Sequence, residues 1–287
     1  MNTNSNTYTV IYTTIIVVIV AAVLAFVAMT LKPLQDANVK AETISQMLSA
    51  AQLVNDSDLQ KMDNRAVLSK YSESVRTAFL INSKGAKVRE LNTEEGSIEL
   101  ADNLKEQNYN IKGAGEPNLP VYVFDKAGEE IYVLPVYGAG LWGPVWGYIA
   151  FNDDCSKIVG AYFDHSGETP GLGAKIKDEP SFREQFTGKS VDVTGTKLFS
   201  IVKGGAPEGA TGAVDAIAGA TMTCKGLDAA INTWLSAYKP FIAAQMGATL
   251  SEGCDGSCGG NHGDCCGGGD CGGSCNGSCG GNHQCNR

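Results

Sequence analysis

Charge is missing where this chain begins. The first 31 residues contain no Asp, Glu, Lys or Arg, and Val10 to Leu31 form a 22-residue, predominantly apolar run. As a helix that run is roughly 33 Å long, enough for a hydrocarbon core of about 30 Å. A cleavable signal peptide would carry a basic n-region and a shorter apolar stretch, so the segment is read as an uncleaved membrane anchor. Histidine is also scarce. Of three in the chain, only His165 precedes residue 251, which argues against a His-based acid–base or metal site in the main domain. Basic excess is absent: 22 Lys and Arg against 31 Asp and Glu give a net charge of −9. That balance disfavours nucleic acid, which selects a basic stripe, and a domain lying flat on anionic lipid. No Gly-x-Gly-x-x-Gly opens a helix and no Walker sequence occurs, so a nucleotide substrate has no support. Before residue 251 there are only two cysteines, Cys155 and Cys224. A small buried hydrophobe is the default reading of each.

What is present is enough hydrophobic residue, 43%, for one sizeable domain behind the anchor. Ile44, Met47, Leu48 and Ala51 recur at helical spacing and predict an amphipathic helix over 41–51. A second helix is expected near 58–68, then a strand near 74–81. Residues 82–118 are polar and weakly patterned, read as short helix and loop. Val121–Phe124 and Ile131–Leu134 flank a turn-rich segment and predict a hairpin. Strands follow at 146–151 and 158–163, a helix near 181–186 and a strand at 198–202. Leu227, Ala230, Ile231, Trp234 and Leu235 predict a closing helix from Thr223 onward. The fold class expected is α+β: a mainly antiparallel sheet with helices packed on one face, preceded by one transmembrane helix. The expected division is a short segment 1–9, an anchor 10–31, a domain 32–248 and a tail 249–287.

The stretch Asp215-Ala-Ile-Ala-Gly-Ala-Thr221-Met-Thr223 joins a small-residue turn to two hydroxyls just before that closing helix. A helix start presents unpaired N–H groups and partial positive charge, which suits a phosphate. Gly219 and Ala220 permit close backbone approach, and Thr221 stands where a hydroxyl would meet that phosphate. The plainer reading is an N-capping threonine after a tight turn. Similar pairs of readings attach to Gly138-Ala-Gly-Leu-Trp142-Gly, where Gly140, Leu141 and Trp142 form either a ring-binding wall or an ordinary glycine-rich turn. Gly167-Glu-Thr-Pro-Gly-Leu-Gly173 is a turn by its Pro-Gly pair. In Ile201-Val-Lys-Gly-Gly-Ala-Pro207, Lys203 either offsets phosphate charge or is simply solvated.

Taken together and in this order, the four motifs and the anchor resemble the covalent FMN-binding subunit of the Na+-translocating NADH:quinone oxidoreductases. The resemblance runs from about residue 10 to about 240. In that family a flavin transferase attaches FMN through its phosphate to a threonine in Asp-x-x-(Ser/Thr)-Gly-Ala-Thr; here Ala218 replaces the usual hydroxyl residue. The resemblance implies covalent FMN on Thr221, with Thr223 as cap. It also implies cofactor contacts from Gly140, Leu141, Trp142, Glu168, Thr169, Leu172, Gly173, Lys203, Asp215, Gly219 and Ala220. It further implies an electron-transfer subunit, inactive alone, passing electrons from NADH towards ubiquinone through partner subunits with Na+ export. The flavin domain is then expected on the periplasmic face of the bacterial inner membrane, although Lys32 and Lys40, the only basic residues near the anchor, favour the opposite side. Alternatives are the corresponding flavin-bearing subunit of an Rnf-type ferredoxin:NAD+ oxidoreductase, or an anchored metal-binding protein acting through its tail.

That tail holds eight of the ten cysteines and repeats internally. Cys254, Cys258, His262 and Cys265 recur as Cys275, Cys279, His283 and Cys285. Each copy offers the Cys3His set of a tetrahedral zinc site, at a spacing unlike standard zinc ribbons. Disulfide pairing in an oxidising compartment, or neither, remains open.

Overall fold

A computed structural model of the protein describes residues 6–101 and 103–247. The eight candidate metal ligands of the tail lie outside them. The first element, α1 (Asn6–Ala50), is a single 45-residue helix, roughly 67 Å long. The two helices expected at 10–31 and 41–51 are therefore one, running through Pro33 without interruption. Its residues up to Val39 are exposed, and it is long and apolar enough to cross a membrane. Its last turns, with Ala41, Ile44, Met47 and Leu48, are buried in the domain. One helix thus serves as both anchor and core element.

The helix expected at 58–68 is broken into α2 (Asp56–Leu59) and α3 (Asn64–Ser74). Asp63 causes the restart, accepting the Ala66 N–H at 2.8 Å as an N-cap. There follow β1 (Val75–Ile81), β2 (Lys87–Leu91), α4 (Leu104–Tyr109), β3 (Leu119–Lys126), β4 (Glu129–Ala139), β5 (Pro144–Phe151) and β6 (Ile158–His165). These strands form one antiparallel sheet in the order β2-β1-β3-β4-β5-β6. Then come α5 (Lys175–Asp178), α6 (Pro180–Glu184), β7 (Ser200–Val202), β8 (Ala213–Asp215) and α7 (Thr221–Gln245). β7 and β8 pair in parallel as a separate two-stranded sheet.

Helices cover both faces of the large sheet, not one. Val121, Val123, Leu134, Val136 and Ile149 pack with Leu227, Ile231, Trp234 and Leu235 of α7. The alternate residues Tyr122, Phe124, Val133, Tyr148 and Ala150 pack with Ile44, Met47 and Leu48 of α1 and Tyr71 of α3. Two covered faces explain why β3, β4 and β5 read as nearly continuous apolar runs, since a half-solvated strand would alternate. β2 was not expected because four of its five residues are exposed; it is a charged outer strand, which suits a sheet edge.

Candidate functional site

The closing helix begins two residues before its expected start. α7 opens at Thr221, and its N-cap is Ala220, which has no side chain able to accept a hydrogen bond. The turn before it depends on Gly219, whose φ of +79° disfavours a side chain, and a Cβ there would lie 2.9 Å from Leu172 Cδ2. Ala220 N–H donates to the Ile217 carbonyl at 3.2 Å, and Ile217 N–H donates to Cys224 Sγ at 3.3 Å. The turn is thereby folded back on the helix, whose first-turn N–H groups carry no side-chain cap.

Thr223 is not the cap expected of it. It lies inside the first turn, buried, and its hydroxyl donates to Glu168 Oε2 at 2.6 Å. The reason is the earlier helix start: a residue with helical backbone points its side chain at a packing neighbour, here Glu168. Thr221 is only partly buried. The two hydroxyls that the sequence could not separate therefore differ in access.

Glu168 is the hub of the cluster. Buried between β6 and α5, it accepts Leu141 N–H at 2.7 Å and Trp142 N–H at 3.0 Å through Oε1, and Thr223 through Oε2. Burial pushes its carboxyl up, but the bonds from Thr223, Trp142 and Leu141 outweigh that and hold it below its ordinary range. Its own N–H donates to His165 Nδ1 at 3.1 Å. Gly140 and Gly173 abut the carboxyl from either side, and a Cβ on Gly173 would come within 2.5 Å of both Glu168 Oε2 and Thr223 Oγ1. Gly140 N–H closes the four-residue β4–β5 loop on Gly143 O at 2.8 Å. The carbonyl of Thr169 turns the next loop, accepting from Leu172 and Ala174 at 3.1 Å each.

Three segments expected at one site are thus physically joined: 140–143, 168–173 and 219–223. Around them Leu141, Trp142, Leu172 and Met222 are exposed, Trp142 at 70%. An uncapped helix start beside solvent-facing apolar side chains suits a ligand with an anionic end and a flat apolar ring. Lys203 and Asp215 stand apart from the hub. Asp215 accepts Ala206 N–H at 2.7 Å, and its own N–H donates to Gln185 Oε1 at 2.8 Å, so its bonds fix the β7–β8 turn. Lys203 is exposed at that turn. His165, Asp164, Gln46 and Lys177 were not anticipated as a group; Gln46 and Asp164 lie 118 residues apart in the chain, and no local spacing joins them. Among the described residues no group of three or more His, Cys, Asp or Glu is placed to hold a metal.

A family model described as FMN-binding domain matches residues 140–236. The NqrC protein of the Na(+)-translocating NADH-quinone reductase of Vibrio parahaemolyticus is 32% identical over 221 residues, 64% of this chain and 84% of that protein. Its counterpart in Vibrio vulnificus is 33% identical over 218 residues, 65% of this chain and 84% of the relative. The crystal structure of the same component from Parabacteroides distasonis superposes with a TM-score of 0.61 at 35% identity, covering 74% of this chain and 96% of that one.

Proposed function

Because the chain belongs to the NqrC family of the Na(+)-translocating NADH-quinone reductase, we propose that it is the electron-transfer subunit that bears FMN as a phosphoester on Thr221. The observation that carries the choice of residue is the contrast between two hydroxyls. Thr223 is buried and its proton is committed to Glu168, whereas Thr221 is reachable at an uncapped helix start.

The residues present fit the cofactor. The N–H groups at the start of α7 and the partial positive charge of the helix end favour a phosphoryl dianion. Gly219 keeps the turn clear of a side chain where the phosphate approaches. Leu141, Trp142 and Leu172 offer apolar surface to a ring and shield it from water. Lys203 contributes charge from the β7–β8 turn without a direct role in holding the ring. When bound, FMN supplies reversible electron transfer, and tethering keeps it from leaving between donor and acceptor. Other subunits of the reductase are the redox partners, and a flavin transferase is needed for loading.

The domain behind α1 is assigned to the periplasmic side of the inner membrane, on the family's arrangement. Flavin fluorescence that survives denaturing electrophoresis after co-expression with the transferase tests the reading. A non-fluorescent band in wild-type protein would contradict it and favour the alternative of an anchored protein that works through its tail.

A further inference from the structure

Both loops at the flavin site have their roots in one buried polar cluster, and one member of that cluster comes from the anchor helix. Gln46 of α1 donates from Nε2 to Asp164 Oδ2 at 2.8 Å and accepts Trp146 Nε1–H at 3.2 Å. Asp164, 2% exposed, also accepts Lys177 Nζ at 2.8 Å and, through Oδ1, the N–H of His165 at 2.7 Å. His165 in turn accepts Glu168 N–H, and Glu168 holds Leu141, Trp142 and Thr223.

The positions of these residues in the fold give the cluster its meaning. Trp146 lies on β5, just after loop 140–143. Asp164 ends β6, just before loop 166–173, and Lys177 lies on α5, just after it. Gln46 is buried, 15 residues beyond the end of the apolar run at Leu31. A buried amide that satisfied no partner would be costly, and this one satisfies two on different strands.

We propose that Gln46 is a positioning residue: through Asp164 and Trp146 it ties the loops bearing Trp142 and Glu168 to the membrane helix. A tethered redox group exchanges electrons with membrane-bound partners only over a fixed separation, so its loops need a reference to the anchor. α1 is also tied to the domain by Arg183–Asp56 at 2.7 Å and by Gln52–Thr187 at 3.3 Å. Those ties reach α6 and the segment after it, not the two loops.

The inference rests on the flavin reading for its purpose but not for its test, which is amide hydrogen exchange on the full-length chain in detergent, with and without flavin loaded. In Gln46→Leu, the amides of Leu141, Trp142 and Glu168 should exchange about tenfold faster, with β1 and β3 unchanged. The pair Gln46→Glu with Asp164→Asn, which exchanges acid and amide, should restore protection. Gln52→Leu should leave these three amides as in wild type. Should Gln46→Leu not fold, Gln46→Glu alone, which crowds a second carboxyl against Asp164, should raise the same exchange rates, and Asp164→Asn should reverse the rise. Unchanged exchange in the Gln46 variants, failure of the acid–amide swap to restore protection, or an equal effect from Gln52→Leu would overturn the proposal. The intact mass of wild-type protein reports the flavin separately, so a missing adduct would remove the flavin reading while the unloaded chain still decides the link.

Discussion

Thr223 gives its hydroxyl to Glu168 at 2.6 Å, and Glu168 accepts the N–H groups of Leu141 and Trp142 as well. One carboxyl therefore joins the start of α7 to the loop that carries the most exposed tryptophan. This junction gives the site its shape before any ligand arrives.

Glu168→Gln keeps the volume but replaces one acceptor oxygen with a donor facing N–H or O–H. It should destabilise the domain by about 1–3 kcal/mol. The pH dependence has a definite sign. A carboxyl held below its ordinary range contributes stability above the unfolded value, about 4.3, and loses it as pH falls through the lower folded value. Urea midpoints of wild type and Glu168→Gln should therefore differ at pH 7 and converge in acid. A constant difference down to pH 2 would contradict the role given to Glu168.

Gly226 lies inside α7, where alanine would ordinarily favour the helix by about 1 kcal/mol. Here a Cβ would overlap the Ala139 carbonyl oxygen and lie 3.1 Å from Gly140 Cα. Gly226→Ala should instead destabilise by about 1–3 kcal/mol, because backbone cannot yield as a side chain can. Thermal denaturation gives the sign directly, and a raised Tm would show that α7 does not pack this closely on the β4–β5 loop.

The same contacts explain what was legible in the sequence. Leu227, Ala230, Ile231, Trp234 and Leu235 announced α7 by spacing, and all five are buried. The small-residue turn before Thr221 and the two loops were marked by their glycines. The helix start was misplaced because Thr223 resembles a cap, whereas the N-cap is Ala220, which has no signal. The covering of both sheet faces was written in the unalternating runs at 121–124 and 131–134, but nothing local said which helix lay on the second face. β8 could not be read from three residues that pair only across a gap with β7. Gln46 looked like an ordinary polar interruption in an amphipathic helix until Asp164 was placed beside it.

Topology is tested independently of flavin. Protease added to intact spheroplasts should cleave the domain following α1, leaving a fragment of the anchor. Full protection, with cleavage only after the membrane is opened, would place the domain on the cytoplasmic side and follow Lys32 and Lys40 instead.

The tail should be dispensable for loading, since the family match ends at residue 236 and the residues assigned to the cofactor end at Thr223. Deleting residues 249–287 is expected to leave flavin stoichiometry unchanged; a fall to half or less would give the tail a part in loading. Metal content of the tail peptide under reducing conditions separates zinc, expected at one per Cys3His copy if that reading holds, from disulfides.

The central claim is that Thr221, not Thr223, bears the cofactor, and intact-protein mass after co-expression with the flavin transferase tests it most directly. Thr221→Val preserves shape and removes the nucleophilic hydroxyl, so it should carry no FMN adduct. Thr223→Val leaves Glu168 short of one donor, which should cost about 1–2 kcal/mol of stability, yet the adduct should remain. An adduct present on Thr221→Val and absent from Thr223→Val would contradict the assignment.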